Sequence, residues 1–268
     1  MSEKRFPNDH LLVSTQWLVD HLDDPDIRPV EVSAPGGGYR FGHPPGAVYL
    51  NFDEVTIGGE GATAHKIGPL EQVAAVLGGL GITPDKRIVV YDETGGTRAA
   101  KAFWLLEHLG YPRVHFLEGG VERWMAENRP QTRLKPDIEP ATFTLTPQED
   151  RLATAEWIAA RLESGEVRVI DCRAPYEYAE GHLPGAQNRT WERSMTFHAY
   201  HAFRDAAELR ADLAELDVTD NKEIVTYCRT GTRSAHTYFT LRLLGYPRVR
   251  NYDGSWVEWE QRPDLPKA

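Results

Sequence analysis

One short loop contains the residues whose types and spacing indicate chemistry. Cys228 directly follows a β-branched segment, residues 223–227, and precedes a helical pattern. The loop after the cysteine consists of Arg229, Thr230, Gly231, Thr232 and Arg233. Inward-facing backbone N–H groups of such a loop, the N-terminus of the next helix and the two guanidinium groups all favour a thiolate over a thiol. We therefore predict that Cys228 is a nucleophile and that the loop binds an anionic substrate.

The surrounding segments predict the elements that hold this loop in place. The predicted strands are 87–91, 167–171, 223–227 and 249–252, and the predicted helices are 206–216 and 234–244. Strands that alternate with helices indicate an α/β fold, a mostly parallel sheet covered by helices on both faces. Ligands bind at the carboxyl ends of such strands, which is where Cys228 stands. The alternative for Cys228 is a small buried apolar side chain, but packing alone requires neither flanking arginines nor a glycine turn.

The chain repeats itself once along its length. The motif GYPRV occurs at residues 110–114 and again 135 residues later, at 245–249. A period of this length indicates two copies of one domain rather than a solenoid of short units. Between the copies lies a proline-containing stretch without clear periodicity. We predict a first domain over 1–130, a linker over 131–150 and a second domain over 151–268.

A serine near the end of the second copy has the spacing of a helix cap. Ser255 and Glu258 match a capping box, and they follow the predicted strand 249–252. In that motif the serine hydroxyl and the glutamate carboxylate accept from main-chain amides at the start of the helix. We therefore predict that a short helix begins here with Ser255 as its cap.

Four motifs of the second copy occur in a characteristic order. They are DCR at 171–173, GHLPGA at 181–186, CRTGTR at 228–233 and YDGSW at 252–256. Together with the tandem copies, these motifs resemble those of the two-domain rhodaneses, the thiosulfate sulfurtransferases, over nearly the whole chain. The resemblance implies two tandem rhodanese-like domains, each a mostly parallel sheet covered by helices on both faces.

The resemblance also implies a ping-pong transfer of sulfur. Cys228 attacks the outer sulfur of thiosulfate, sulfite leaves, and a persulfide remains on the cysteine. A thiophilic acceptor, such as cyanide or a thiol, then takes the sulfur. Arg229 and Arg233 would hold the leaving sulfite, and Arg189, just after the GHLPGA motif, is a further candidate for substrate binding. The partners are thus a small anionic sulfur donor and a thiophilic acceptor, and neither a metal nor an organic cofactor is expected.

The first copy has no cysteine at the equivalent place. When the strand-ending tyrosines are aligned, Asp92 occupies the position of Cys228, and the loop up to Arg98 is one residue longer than the loop up to Arg233. A carboxylate cannot carry a sulfur atom, so we predict that this copy is catalytically silent. In the family, the silent domain closes one wall of the cleft. A separate binding module is the alternative.

The choice of donor is open at this stage. Mercaptopyruvate sulfurtransferases share the architecture but usually lack an arginine after the cysteine, so Arg229 favours thiosulfate. In some of them a loop hydroxyl acts with a histidine and an acid of the first domain. The candidates for such a triad are Thr230, His65 and either Asp53 or Glu54.

Two other functions are alternatives to a sulfurtransferase that turns over free donors. One is a phosphatase or an arsenate reductase: cysteine phosphatases, including those that share the rhodanese fold, typically use Cys-x5-Arg, one residue longer than the Cys-x4-Arg spacing of residues 228–233. The shorter loop makes a tighter cradle, suited to one sulfur atom more than to a full phosphate. The other alternative is a persulfide carrier that delivers sulfur to a partner and turns over free donors poorly.

The composition excludes several classes of function. The chain has 268 residues, of which 41% are hydrophobic, and a net charge of −10. An acidic chain without a lysine–arginine run argues against nucleic acid or an anionic membrane as the main partner, and no apolar run is as long as a membrane span. The polar start does not resemble a secretory signal, so we expect a cytoplasmic protein with reduced thiols. For Cys172, the one other cysteine, we predict packing in a strand, with a resolving thiol as the alternative.

Overall fold

A computed structural model of the chain describes residues 5–33, 37–57, 66–197 and 200–268. Its strands are β1 (Leu12–Val13), β2 (Ile27–Glu31), β3 (Val48–Tyr49), β4 (Thr56–Ile57), β5 (Lys66–Ile67), β6 (Arg87–Tyr91), β7 (Val114–Leu117), β8 (Leu152–Ala153), β9 (Val167–Asp171), β10 (Gln187–Asn188), β11 (Met195–Phe197), β12 (His201–Phe203), β13 (Glu223–Tyr227) and β14 (Val249–Tyr252). Its α-helices are α1 (Thr15–Val19), α2 (Leu70–Gly79), α3 (Thr97–His108), α4 (Gly120–Ala126), α5 (Ala155–Ala159), α6 (Pro175–Ala179), α7 (Ala206–Ala214), α8 (Thr232–Leu243) and α9 (Ser255–Trp259). Within the described ranges, none of these helices has the length and apolar composition needed to cross a membrane.

Two five-stranded sheets form the framework, and their strand orders correspond. The order is β1-β7-β6-β2-β3 in the first half and β8-β14-β13-β9-β10 in the second. Every neighbouring pair in both sheets is parallel. Each strand of one sheet thus has its counterpart at the same place in the other. This correspondence confirms the prediction of two tandem α/β domains of one kind.

The predicted strands and helices form close to the expected bounds. The four predicted strands are β6, β9, β13 and β14, with the predicted ends. Helix α7 ends two residues early, at Ala214, and α8 begins two residues early, at Thr232. The early start of α8 follows from Gly231, whose φ of +80° lies in the left-handed region that glycine adopts without strain. The next residue, Thr232, is already the first residue of the helix.

Helices α3 and α8 pack against each other and join the two halves. The rings of Phe103 and Phe239 meet edge to face, with centroids 4.7 Å apart. Near the C-terminal ends of the two helices, Arg242 donates to Glu107 at 2.7 Å. The Tyr238 hydroxyl donates to the same carboxylate. Both helices begin directly after the loops that follow β6 and β13, so this interface also fixes the two loops relative to each other.

Each half extends a two-stranded antiparallel hairpin toward the other half. The hairpin β4–β5 of the first half reaches the end of β14, where the Ile67 amide donates to the Asp253 carboxylate at 2.9 Å. The hairpin β11–β12 of the second half reaches α4, where a ring nitrogen of His201 lies 2.6 Å from a carboxylate oxygen of Glu122. The first half therefore contacts the second sheet at the carboxyl end of β14, the strand beside β13, and Cys228 follows β13 at the same end of the sheet.

The predicted linker runs along the first half. Thr132 pairs with His43 as an isolated β-bridge. Farther on, the Ala141 amide donates to the carbonyl oxygen of Gly78 in α2 at 3.1 Å, and Leu145 is buried. The segment is thus packed rather than detached, and the bounds of the two domains stay a prediction.

A buried carboxylate of the first half lacks the partner that its counterpart has. Glu31 ends β2 as Asp171 ends β9. Arg173 binds Asp171 at 2.6 Å, whereas Ser33, at the equivalent place, donates to Glu31 at 3.2 Å. Among the described residues, Oε2 of the fully buried Glu31 has no hydrogen-bond partner. Burial, which the hydrogen bond from Ser33 opposes, therefore raises the pKa of Glu31 to about 7.

We expect the Glu31→Gln variant to remove a pH dependence of stability. A carboxyl whose pKa is raised from 4.5 to about 7 by folding stabilises the protein fully below pH 4.5, and this stability is lost as the pH rises through about 7. Relative to the variant, the unfolding free energy of the wild type should fall by ~2 kcal/mol between about pH 5 and about pH 8. Urea titrations at the two pH values measure the difference, with the exposed Glu71→Gln as control. A difference that stays constant with pH would contradict the prediction.

Candidate active site

Cys228 lies at the carboxyl end of β13, where the chain turns toward α8. The residue is only 1% exposed. Its amide donates to Ser255 Oγ at 3.2 Å, and its carbonyl oxygen accepts from the Trp256 amide at 3.0 Å. Because both main-chain groups of Cys228 bind the start of α9, the position of its side chain is fixed relative to that helix.

The loop after Cys228 turns through Gly231, which has a left-handed backbone conformation. A Cβ atom at this position would lie 2.7 Å from Lys101 Nζ and 2.8 Å from the carbonyl oxygen of Asp253. Glycine is therefore required both by φ and by the space available. Within the described part of the chain, the amides of residues 229–233 have no protein acceptor. These N–H groups remain available to the sulfur of Cys228 or to a bound anion.

The equivalent loop of the first half binds an anion that the chain itself supplies. Asp92 follows β6 as Cys228 follows β13, and its side chain is buried. The main-chain amides that donate to its carboxylate, at 2.8 to 3.0 Å, are those of Thr94, Gly96, Arg98 and Ala99. The loop is thus an anion cradle with a carboxylate inside it. Because the carboxylate fills the cradle, this loop cannot bind an external anion in the same way.

Cys228 takes the place of that carboxylate in the second half. The two loops differ in length by one residue, but both enter their helix through a left-handed glycine, Gly96 at φ +91° and Gly231 at φ +80°. Cys228 thus stands beside loop amides that have no protein acceptor within the described part of the chain, and the N-terminus of α8 adds partial positive charge. The arrangement can therefore stabilise negative charge on the sulfur and on an anion bound beside it.

Arg233 lies near the cysteine, but a carboxylate holds it. Its Nη1 and Nη2 donate to the two carboxylate oxygens of Glu177, on α6, at 2.6 and 2.8 Å. These hydrogen bonds raise the pKa of Arg233, burial opposes the shift, and the charge of the Cys228 sulfur adds to it. Arg233 thus brings a positive charge close to Cys228, and Glu177 balances that charge. The sequence gives no signal for this role of Glu177, because it stands 56 residues from its partner.

Arg229 is the more accessible of the two loop arginines. Its side chain is 52% exposed, and its Nη2 lies 3.4 Å from Oε1 of Glu260. An exposed ion pair of this kind contributes about 0–1 kcal/mol, so the guanidinium can leave Glu260 to bind an anion. Thr230 and Thr232 are half-buried in the same loop. Arg229 is therefore the loop residue best placed to meet an anion that enters from solvent.

Arg189, the further candidate for substrate binding, is buried beside α7. The residue is 1% exposed, and it donates to Asp212 at 2.6 Å and to Ser194 at 3.0 Å. Burial, which the charge of Asp212 partly offsets, lowers the pKa of Arg189. Its remaining nitrogen, Nη2, is buried and has no hydrogen-bond partner among the described residues. The pairing with Asp212 fixes the side chain in place, and substrate binding by Arg189 stays a prediction.

The candidate triad for mercaptopyruvate cannot be assembled from the described residues. His65 lies outside them. Asp53 and Glu54 belong to the 3₁₀ turn Phe52–Glu54 and are both exposed. Among the described residues, no hydrogen bond or ion pair joins either acid to the loop after Cys228, so the triad stays a prediction.

Cys172 is the neighbour of Cys228 across the sheet. Its amide donates to the carbonyl oxygen of Tyr227 at 2.8 Å, and its thiol lies 3.8 Å from the carbonyl oxygen of Ile170. The side chain is fully buried, and burial raises the pKa of Cys172 far above the usual range for a thiol. A protonated, buried thiol is a poor nucleophile. These observations favour packing in the strand over the role of a resolving thiol.

Ser255 binds the main chain of Cys228, a contact that the sequence pattern does not predict. Its hydroxyl accepts from the Cys228 amide and donates to the carbonyl oxygen of Tyr252 at 2.8 Å. Glu258 pairs with Lys66 of the first half. The helix α9 does begin at the predicted place, but the capping-box prediction is wrong, because the serine hydroxyl holds the cysteine backbone instead of capping the helix.

Comparisons with known proteins cover both halves of the chain. The family model described as Rhodanese-like domain matches residues 14–127 and 154–262. A thiosulfate sulfurtransferase of Azotobacter vinelandii is 35% identical over 264 residues, with 96% of each chain covered. The sulfur carrier protein TtuD of Thermus thermophilus is 32% identical over 285 residues, with 98% of each chain covered. Among solved structures, SseA from Escherichia coli, described as a 3-mercaptopyruvate sulfotransferase, superimposes with a TM-score of 0.82 at 25% identity, over 92% of this chain and 98% of that one.

Proposed function

The chain belongs to the rhodanese family and is a sulfurtransferase of that family, and we propose that it transfers the outer sulfur of thiosulfate through a persulfide on Cys228. The acceptor is a thiophilic molecule such as cyanide or a thiol. In this proposal Cys228 is the catalytic residue. The residues that bind the donor and stabilise the persulfide are Arg229, Thr230, Gly231, Thr232 and Arg233.

Two half-reactions return the enzyme to its starting state. In the first, the Cys228 thiolate attacks the outer sulfur of thiosulfate, the bond between the two thiosulfate sulfurs breaks, and its electron pair leaves with sulfite. In the second, the acceptor attacks the terminal sulfur of the persulfide, and the electron pair of that S–S bond returns to Cys228 as a thiolate. Sulfur moves from one nucleophile to another, so neither step needs an outside oxidant or reductant.

The observation that carries this proposal is the filled cradle around Asp92. Four main-chain amides bind its carboxylate, and in the second half Cys228 stands at the same place. The amides of residues 229–233 have no protein acceptor within the described part of the chain. Donors that are already oriented stabilise charge on a reacting atom without reorganisation. They suit the negative charge that a persulfide carries on its terminal sulfur.

For the first half we propose a supporting role without chemistry of its own. Asp92 stands where a sulfur-carrying residue would have to be, and its carboxylate occupies the cradle. The helix α3 and the hairpin β4–β5 lie against the second half instead. We keep 1–130, 131–150 and 151–268 as the proposed bounds of first domain, linker and second domain.

The proposed partners are a small anionic sulfur donor and a thiophilic acceptor. With a net charge of −10, the chain as a whole repels nucleic acid and anionic membrane surfaces. Both cysteines, Cys172 and Cys228, are free thiols. Free thiols fit a reducing compartment, and we propose a cytoplasmic location.

Thiosulfate is the donor we propose because of Arg229. This arginine directly follows Cys228, and its exposed guanidinium is not balanced as closely as that of Arg233. A dianion gains more from this charge than the singly charged 3-mercaptopyruvate does. The likeness to SseA makes 3-mercaptopyruvate the second candidate.

Steady-state kinetics with both donors test this choice. We expect kcat/KM to be higher for thiosulfate than for 3-mercaptopyruvate, and Arg229→Ala to lower the thiosulfate value about 10-fold, mainly through KM. The exposed Arg248→Ala, in the same half, is the matched control and should leave both donors unchanged. A large preference of the wild type for 3-mercaptopyruvate would overturn the donor assignment. A stable persulfide with negligible turnover of either donor would instead indicate a carrier.

A further inference from the structure

A buried ion pair between the halves lies directly against the loop after Cys228. Lys101, on α3 of the first half, pairs with the carboxylate of Asp253 at the end of β14. The ammonium lies 4.5 Å from the ring centroid of Trp104, and the other oxygen of the carboxylate accepts from the Ile67 amide at 2.9 Å. Both charges are buried, with side chains 2% and 7% exposed. Apolar side chains of similar size stabilise an interface as well as a buried ion pair does, so the charges call for another explanation.

The residues after β14 touch the cradle at two points. The carbonyl oxygen of Asp253 and the ammonium of Lys101 both lie within 3 Å of where a Cβ of Gly231 would be, at 2.8 and 2.7 Å. Two residues farther on, Ser255 accepts from the amide of Cys228 at 3.2 Å. The segment 253–255 is therefore held by the first half on one side and contacts both ends of the loop on the other.

The equivalent place in the other copy has no such pair. His236, on α8, lies 135 residues after Lys101, and Glu118 lies 135 residues before Asp253. His236 faces the loop of the first half, 3.6 Å from where a Cβ of Gly96 would be, and Glu118 pairs within its own half. Burial lowers the pKa of His236 to about 3, so its ring is neutral. The fold itself thus does not require an ion pair at this place. The pair occurs only beside the loop that carries Cys228, among the residues that the structure describes.

We propose that Lys101 is a positioning residue for sulfur transfer: by pairing with Asp253 it holds the segment 253–255 against the loop and keeps the loop amides in the positions that sulfur transfer needs. The inference rests on the proposed persulfide chemistry. The first half then acts on catalysis through this pair. Neither partner reaches the solvent, where the donor first meets Arg229, so the effect should appear in kcat and not in KM.

A paired substitution tests the role without leaving a buried charge alone. In the double variant Lys101→Met with Asp253→Asn, the asparagine oxygen can still accept from the Ile67 amide, so the fold should persist. We expect kcat for thiosulfate-to-cyanide transfer to fall on the order of 10-fold, with KM for thiosulfate within about 2-fold of the wild type. A second pair, Lys101→Gln with Asp253→Asn, restores a hydrogen bond between the two side chains and should recover part of kcat.

An ion pair between α3 and α8, away from the loop, provides a matched control. Glu107 and Arg242 also join the halves and are partly buried, but Arg242 stands ten residues beyond the start of α8, about 15 Å along the helix. Glu107→Gln with Arg242→Met should lower the melting temperature and leave kcat unchanged. Wild-type kcat in the Lys101 pair, or an equal loss of kcat in the control pair, would overturn the positioning role. If the wild type itself takes no sulfur from thiosulfate, the proposed function fails first, and the inference fails with it.

Discussion

Replacing Cys228 by serine should abolish sulfur transfer from thiosulfate to cyanide. A serine hydroxyl is far less nucleophilic than a thiolate and cannot form a persulfide, so we expect the rate to fall by at least ~1,000-fold. The substitution replaces one sulfur atom by oxygen at a residue that is only 1% exposed. The main-chain hydrogen bonds to Ser255 and Trp256 remain. The variant should therefore fold as the wild type does. Thiocyanate formation measures the transfer, and thermal unfolding checks the fold.

The neighbouring cysteine is the matched control for this variant. Cys172→Ser places the same change one strand away, in a buried position. It should lower stability, because it buries a hydroxyl among apolar side chains, but transfer should continue at close to the wild-type rate. If transfer survived in Cys228→Ser and were lost in Cys172→Ser, Cys172 would be the catalytic cysteine and the assignment to Cys228 would be wrong.

Replacing Gly231 by alanine should have the second largest effect on activity. A methyl group here would meet Lys101 Nζ at 2.7 Å and the carbonyl oxygen of Asp253 at 2.8 Å, and a residue with a side chain is strained at φ +80°. The loop must shift to relieve these contacts, and the main-chain amides of residues 229–233 shift with it. Because small displacements of catalytic groups are costly, we expect kcat/KM for thiosulfate to fall on the order of 100-fold.

Gly165→Ala separates backbone strain from displacement of the cradle. Gly165 has a similar φ of +72°, but nothing lies within 4 Å of where its Cβ would be. Both variants should lose ~1 kcal/mol of stability from the left-handed conformation. Only Gly231→Ala should lose activity. Equal activities of the two variants would show that the shape of the loop after Cys228 does not matter for the reaction.

The cysteine, its loop and the tandem organisation were predictable from the sequence because their signals are local or repeated. Cys228 stands between a β-branched run and a helix, and Gly231 and Arg233 follow within five residues. The repeat predicts the fold, since the same alternation of strand and helix patterns occurs in both copies. It also identifies Asp92 as the counterpart of the cysteine, which becomes informative once the amides around that carboxylate are seen.

The long-range partners could not be predicted in the same way. Glu177 stands on a different helix from Arg233, and no periodicity joins the two positions. Ser255 matches a helix-cap spacing, yet its hydroxyl binds the Cys228 amide, which only the packing of β13 beside β14 makes possible. Arg189 follows a motif near the site in sequence, but its side chain turns toward Asp212 on α7. In each case the contact depends on how elements far apart in the chain pack together.

Intact-mass spectrometry after incubation with thiosulfate tests the central claim most directly. The wild type, freed of excess donor, should gain the mass of one sulfur atom, and peptide mapping should place it on Cys228. Cyanide should remove this mass, and Cys228→Ser should never acquire it. An unchanged mass under conditions of active transfer, or a sulfur found on Cys172, would contradict the account.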